Sequence, residues 1–124
     1  MSFEERFQLL LESGQLTEPV LEVTREIVTA IQNRYGITLT EENAGMFVTH
    51  IAMALQRIAS GQPLETVSDE VWEETRQCQD EWSFARELAA LARKRLEIQV
   101  PESELAYMVL HLRVLVGPVS MLGQ

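Results

Sequence analysis

The sequence has few of the residues from which catalytic and metal sites are usually built. Its 124 residues include one cysteine, Cys78, and two histidines, His50 and His111. A lone cysteine excludes an internal disulfide and a cysteine-based zinc site, and it fits a reducing, cytoplasmic compartment. The sequence also lacks a Gly-rich phosphate loop, a His-Glu-x-x-His pattern and a Gly-x-Ser-x-Gly pattern. Because no nucleophile–base set or metal set is visible, we predict that the chain is not an enzyme and uses no cofactor or metal.

Positive charge and long apolar runs are also scarce. Ten basic residues against 19 acidic ones give a formal net charge of −9. Nucleic-acid binders usually carry a basic face, so this balance argues against direct binding to DNA, RNA or an anionic membrane. Charged residues interrupt every apolar segment before it could span a bilayer, and the first residues do not resemble a signal peptide. We therefore expect a cytoplasmic protein whose acidic surface either attracts a basic protein partner or only keeps the domain in solution.

The sequence does have helical periodicity. Hydrophobic residues make up 46% of the chain, enough for one packed domain. Apolar residues recur at helical spacing in successive segments, and no segment long enough to build a sheet alternates with period two. The pattern predicts an all-α protein: a bundle of five main helices and an extra short N-terminal helix. The predicted helices lie at about 3–13, 17–35, 41–60, 68–76, 82–95 and 101–116.

Several helix ends carry recognisable signals. Thr17 and Thr40 are predicted to cap the helices that follow them, and Pro19 suits a first helical turn. Gly36 can take the left-handed conformation that ends a helix. The last helix is predicted to end at 117–118, where glycine is followed by proline.

Two parts of the chain repeat one pattern, in which an apolar connector leads into an acidic helix start and then to a histidine. Glu41 precedes His50 by nine residues, and Glu102 precedes His111 by the same distance. This echo predicts two helices in similar settings, although it is too short to establish a repeat.

Both histidines lie on the flanks of their helices. On a helical wheel, His50 lies to one side of the apolar stripe of the 41–60 helix, and His111 lies beside a stripe centred on Leu105, Met108, Leu112, Leu115 and Val116. Three interpretations are open: half-exposed histidines without chemistry, a metal site, or a catalytic base. No acid or cysteine at ligand spacing supports the second, and no paired serine or cysteine supports the third. The last helix is apolar nearly all round, which is typical of a helix at the centre of a core or in a subunit interface.

The segments 49–58 and 100–112 resemble the PTS regulation domain (PRD). This is the helical module of bacterial antiterminators and activators controlled by the phosphoenolpyruvate sugar phosphotransferase system. In the first segment, a histidine is followed by an apolar run and by an arginine seven residues later. In the second, a proline is followed by a glutamate three residues on and by a closing His-Leu. The resemblance covers roughly residues 17–117.

The resemblance implies both a fold and a function. The fold would be a five-helix bundle that often dimerises, with an N-terminal extension at 1–16, the PRD-like domain at 17–117 and a tail at 118–124. By resemblance, the phosphorylatable histidines are His50 and His111, and the supporting residues are Arg57 and Glu104. The implied function is transcription regulation linked to the phosphotransferase system. The implied partners are phosphocarrier proteins of that system or a regulator protein, and the implied assembly is a homodimer.

Two departures from the family pattern keep a second hypothesis open. Antiterminators of this family usually have aspartate before the first histidine, where this sequence has Thr49. The family also usually carries two such domains fused to a nucleic-acid-binding effector, and this sequence has one copy. The chain would then be a non-phosphorylated interaction or dimerisation module that keeps only the scaffold.

Overall fold

A computed structural model of the protein describes the backbone of residues 2–122 and the side chains of residues 2–115. Within residues 2–122 there are six helices and no strand, which confirms the all-α prediction. The helices are α1 (Phe3–Glu12), α2 (Glu18–Tyr35), α3 (Glu41–Ala59), α4 (Asp69–Thr75), α5 (Gln79–Leu96) and α6 (Glu102–Leu122). No helix of this part of the chain is both long enough and apolar enough to cross a membrane.

The predicted caps were right at one helix and wrong at another. Thr40 caps α3 as expected: its hydroxyl accepts from the Asn43 N–H at 3.2 Å, and the Asn43 side chain accepts from the Thr40 N–H at 2.8 Å. Thr17 occupies the N-cap position of α2, but its side chain does not cap the helix. Its hydroxyl donates instead to Gln56 Oε1 of α3 at 3.3 Å, so a contact between helices replaces the local one.

The last helix is longer than predicted. The sequence 117–118 was expected to end it, but α6 continues to Leu122. Proline removes one backbone donor and crowds the preceding turn, yet its fixed φ lies close to the helical value, so a helix can pass through it. Val116, assigned above to the apolar stripe, lies outside the residues whose side chains are described. The division into 1–16, 17–117 and 118–124 stays a prediction.

The core is formed mainly by the hairpins α2–α3 and α5–α6. The predicted apolar stripe of α3 is buried throughout, at Ala44, Phe47, Val48, Ile51, Leu55 and Ile58. In α6 the buried stripe is rotated from the predicted one: Leu105 and Leu112 are buried as expected, but Ala106 and Val109 replace the partly buried Met108 and Leu115.

The N-terminal helix is part of the same core. Phe7 of α1 is 2% exposed and belongs to the central apolar cluster. Arg6 of α1 donates from Nε to Glu41 Oε1 at 2.7 Å, which attaches α1 to the start of α3. Together, the buried ring and the ion pair fix α1 to the bundle.

Two left-handed helix ends provide a matched stability test. Gly36 ends α2 at φ 64°, as predicted, and Glu97 ends α5 at φ 55° at the equivalent place in the echo. A Cβ disfavours this conformation, so we expect Gly36→Ala to lower the free energy of unfolding by about 1 kcal/mol and Glu97→Gly to raise it by up to about 1 kcal/mol. Urea titration of both variants measures the two signs. A loss of stability in Glu97→Gly would contradict the strain argument.

Candidate functional site

The two histidines meet in one cleft. His50 of α3 is exposed and His111 of α6 is half-buried, and their ring centroids lie 5.1 Å apart at an interplanar angle of 55°. The cleft has a volume of about 360 Å³ and is lined by one face of α3, one face of α6 and Leu64 from the loop between α3 and α4. We call this space the histidine cleft. The echo in the sequence thus corresponds to two helices that place their histidines opposite each other.

His111 is packed among aromatic rings. Tyr107, one turn earlier on α6, lies nearly parallel to it at 5.8 Å and 29°, and Phe47 of α3 approaches at 6.3 Å and 71°. Burial lowers the pKa of His111, and the nearby His50, when charged, lowers it further. Around neutral pH the His111 imidazole is therefore neutral, with one ring nitrogen carrying a lone pair that can act as a nucleophile.

Arg57 and Glu104 form an ion pair at the other end of the cleft. Arg57 Nη2 donates to both carboxylate oxygens of Glu104, at 3.0 and 3.3 Å. The Glu104 side chain is 2% exposed and also accepts from the Leu64 N–H at 2.9 Å. Ser103 donates from Oγ to the Leu64 carbonyl at 2.6 Å. The first turn of α6 therefore holds both Arg57 and the loop that borders the cleft.

Arg57 keeps a spare donor in this setting. Its side chain is 40% exposed, and its Nε is buried with no hydrogen-bond partner within the described residues. The exposed part of the guanidinium can pair with a further anionic oxygen, in the kind of charge-assisted hydrogen bond that it already makes to Glu104. Arg57 is thus the group through which the cleft can respond to a negative charge.

The structure brings all four sequence-predicted residues together. His50, His111, Arg57 and Glu104 all line the histidine cleft. Arg57 follows His50 by seven residues and Glu104 precedes His111 by seven, so two antiparallel helices place the two pairs at levels about 10 Å apart. A spacing of +7 on one helix and −7 on the other is a sequence signal for the Arg57–Glu104 pair. Sequence reasoning did not use this signal. It also missed Leu64 and Ser103, since no local pattern marks a loop that hydrogen-bonds to a distant helix.

A metal is not suggested by the described side chains. Among them, no group of three or more histidine, cysteine, aspartate or glutamate residues is placed to hold an ion. The reactive groups in the cleft are two imidazoles beside one guanidinium–carboxylate pair.

The titration of His111 tests this electrostatic environment. We expect NMR pH titration to place its pKa below the ordinary histidine value, and His50→Gln to raise it part of the way back, because burial is the larger cause. As the pH falls, the unfolded chain binds this proton before the folded one does, so folding stability should fall with it. In His111→Gln, the loss of folding stability on acidification should be smaller than in the wild type. An ordinary pKa for His111 in the wild type would contradict the described burial.

Comparison with known proteins decides the family. The profile of the PRD domain matches residues 7–115, most of the chain. The chain belongs to the PRD domain family. Its match begins inside α1, which is consistent with Phe7 lying in the core.

The chain is similar to two curated proteins and to one solved structure. The uncharacterised protein YhfY of Escherichia coli (strain K12) is 25% identical over 109 residues, which cover 88% of this chain and 90% of YhfY. The transcription antiterminator LicT of Bacillus subtilis (strain 168) is 26% identical over 108 residues, covering 87% of this chain but only 38% of LicT. The crystal structure of GlcT CAT-PRDI has the same fold, with a TM-score of 0.63 at 21% identity, over 86% of this chain and 61% of that one.

Proposed function

We propose that this PRD domain is a regulatory domain linked to the sugar phosphotransferase system, which accepts a phosphoryl group on His50 or His111 and signals through dimerisation or partner binding. The observation that carries the proposal is the meeting of two imidazoles, 5.1 Å apart, in a cleft that also contains Arg57. Membership of the PRD domain family and the similarity to the antiterminator LicT support the regulatory role.

The proposed reaction needs only a nucleophilic ring nitrogen on this chain. The lone pair of a neutral imidazole attacks the phosphorus of a phosphohistidine or phosphocysteine on the donor protein. A new P–N bond forms, the donor's P–N or P–S bond breaks, and its electron pair returns to the donor atom. The accepting ring keeps the proton on its other nitrogen. In this scheme the histidine is the substrate of the reaction, and the domain is a regulator and not an enzyme.

The phosphoryl group would act as a charge switch. It adds about two negative charges and three acceptor oxygens to the cleft. These attract the guanidinium of Arg57 and repel the carboxylate of Glu104, which Arg57 holds at 3.0 Å. Because Glu104 also accepts from the Leu64 N–H, a shift of this ion pair would change how the bordering loop is held.

Apolar side chains near the histidines are suited to contact a partner. Met46 lies one turn before His50 and is 67% exposed, and Val114, three residues after His111, is also 67% exposed. A second copy of the domain, a phosphocarrier protein or a regulator protein would remove these side chains from water. A phosphoryl group beside them would alter that contact by charge.

Phosphotransfer to the purified domain tests the proposal. The chain is incubated with the general phosphotransferase enzymes and labelled phosphoenolpyruvate, next to a known acceptor protein. We expect label on the chain, and a change in its dimer fraction measured by analytical ultracentrifugation. An unlabelled chain beside a labelled control acceptor would reject the proposal.

A second candidate is a module that binds a partner without phosphorylation. It is favoured by Thr49, which stands where antiterminators of the family usually have aspartate. The Thr49 hydroxyl donates its one proton to the Gly45 carbonyl at 2.9 Å, so this position supplies neither a carboxylate nor a free donor beside His50. This candidate predicts that the domain takes no label and that His50→Gln and His111→Gln leave partner binding unchanged.

A further inference from the structure

The distance between the two histidines is too short for them to act independently as phosphoryl acceptors. Their centroids are 5.1 Å apart, and each phosphoryl group carries about two negative charges near neutral pH. Two such groups on facing rings would lie closer to each other than the Debye length in physiological salt, so ions in solution would screen their repulsion poorly.

The described part of the cleft contains one permanent cation, so a second phosphoryl group would have none of its own. Among the described side chains that line the cleft, Arg57 is the one permanent cation and Glu104 is the one carboxylate. Arg57 is bound to Glu104 through Nη2, and its buried Nε has no hydrogen-bond partner within the described residues. The chain as a whole carries a net charge of −9, so its average field also opposes a second dianion.

We propose that His50 and His111 form one shared phosphoryl site, which holds a single phosphoryl group and passes it from one ring to the other. This inference rests on the proposed function for its biological donor. It adds a limit on occupancy and an internal transfer step.

The transfer step balances without any further reactant. The phosphorus lies on a nitrogen of His50, and a lone-pair nitrogen of neutral His111 attacks it from the side opposite the P–N bond. The new P–N bond forms as the old one breaks, and its electron pair returns to His50, which becomes a neutral imidazole. Each ring keeps the proton on its other nitrogen. The exposed His50 side chain can turn about χ2, whose distribution is broad, and so bring its phosphorus to the roughly 3–3.5 Å approach that attack by His111 requires.

The two rings differ in exposure, which gives the transfer a direction. His50 is exposed and can meet a phosphoryl group on another protein, whereas His111 is half-buried between Tyr107 and Phe47. The exposed ring is the first acceptor. The half-buried ring holds the group where water has less access to the P–N bond.

Stoichiometry tests the limit on occupancy. Phosphoramidate is a small-molecule donor that phosphorylates histidine without an enzyme. The chain is treated with an excess of it, and the number of phosphoryl groups is measured by intact-protein mass spectrometry. We expect one phosphoryl group on the folded wild type, one on His50→Gln, one on His111→Gln and none on the double variant. The wild type unfolded in urea, where the rings are far apart, should take two. Two groups on the folded wild type, or none, would overturn the shared site.

Kinetics tests the transfer, with the phosphocarrier protein as donor. If His50 receives the group first, His111 should be loaded at least about tenfold more slowly in His50→Gln than in the wild type, because an intramolecular step is lost. Equal loading of His111 in both chains would overturn the transfer. If phosphoramidate adds one group while the phosphocarrier adds none, the proposed function fails and the shared site stands, so the two claims fail separately.

Discussion

Replacing Glu104 with alanine is expected to lower the free energy of unfolding by about 3 kcal/mol, because it removes a buried carboxylate that holds two partners. Arg57 would lose its ion-pair partner, and the Leu64 N–H would lose the acceptor now at 2.9 Å. The guanidinium remains 40% exposed and can be hydrated, which keeps the loss at the lower end of the range for buried pairs. Denaturation in urea measures the change.

Glu102→Ala is the matched control for this experiment. Glu102 lies in the same first turn of α6 and also pairs with an arginine, Arg86, but their side chains are 59% and 56% exposed. Both substitutions remove one negative charge near the helix N-terminus, so the difference between them reports the buried contacts. We expect Glu102→Ala to lower the free energy of unfolding by only a small fraction of the loss caused by Glu104→Ala. Equal losses in the two variants would show that the buried contacts of Glu104 contribute little.

Replacing both histidines with glutamine is expected to reduce phosphotransfer to the level of a chain without acceptors. Glutamine keeps a polar side chain of similar length at each position but has no nucleophilic ring nitrogen. Labelling with the phosphotransferase enzymes measures the loss, and circular dichroism checks that the double variant is folded.

The single variants and one additional substitution complete this test. His50→Gln and His111→Gln should each retain some labelling, whereas Cys78→Ser should label like the wild type. Cys78 is the chain's one thiol, and burial raises its pKa, so it is a poor thiolate nucleophile. Label remaining on the folded double variant would show that the acceptor is some other residue.

The fold could be predicted from sequence wherever the signals were local. The α3 stripe, the Thr40 cap and the left-handed Gly36 follow from helical periodicity and from residue types that suit one position. Glu97 was missed because nothing in a glutamate marks a left-handed helix end. The predicted end of α6 was wrong because glycine followed by proline disfavours a helix without forbidding one.

The candidate site could be predicted residue by residue but not as an arrangement. Family resemblance selected His50, His111, Arg57 and Glu104, and the structure places all four in one cleft. Arg57 and Glu104 are 47 positions apart in the sequence, and their pairing depends on the antiparallel packing of α3 and α6, which a helical wheel for either helix cannot show. The 5.1 Å separation of the rings likewise depends on how α3 and α6 pack against each other, which neither segment shows by itself.

Locating the phosphoryl group on the wild-type chain is the most direct test of the account. After phosphotransfer from the phosphocarrier protein, the chain is digested at neutral to alkaline pH, where phosphohistidine survives, and the peptides are sequenced by mass spectrometry. We expect a phosphoryl group on the peptide containing His50 or on the one containing His111, and an intact mass of the undigested chain that corresponds to no more than one phosphoryl group. A phosphoryl group on another residue, or an unmodified chain beside a modified control acceptor, would contradict the account.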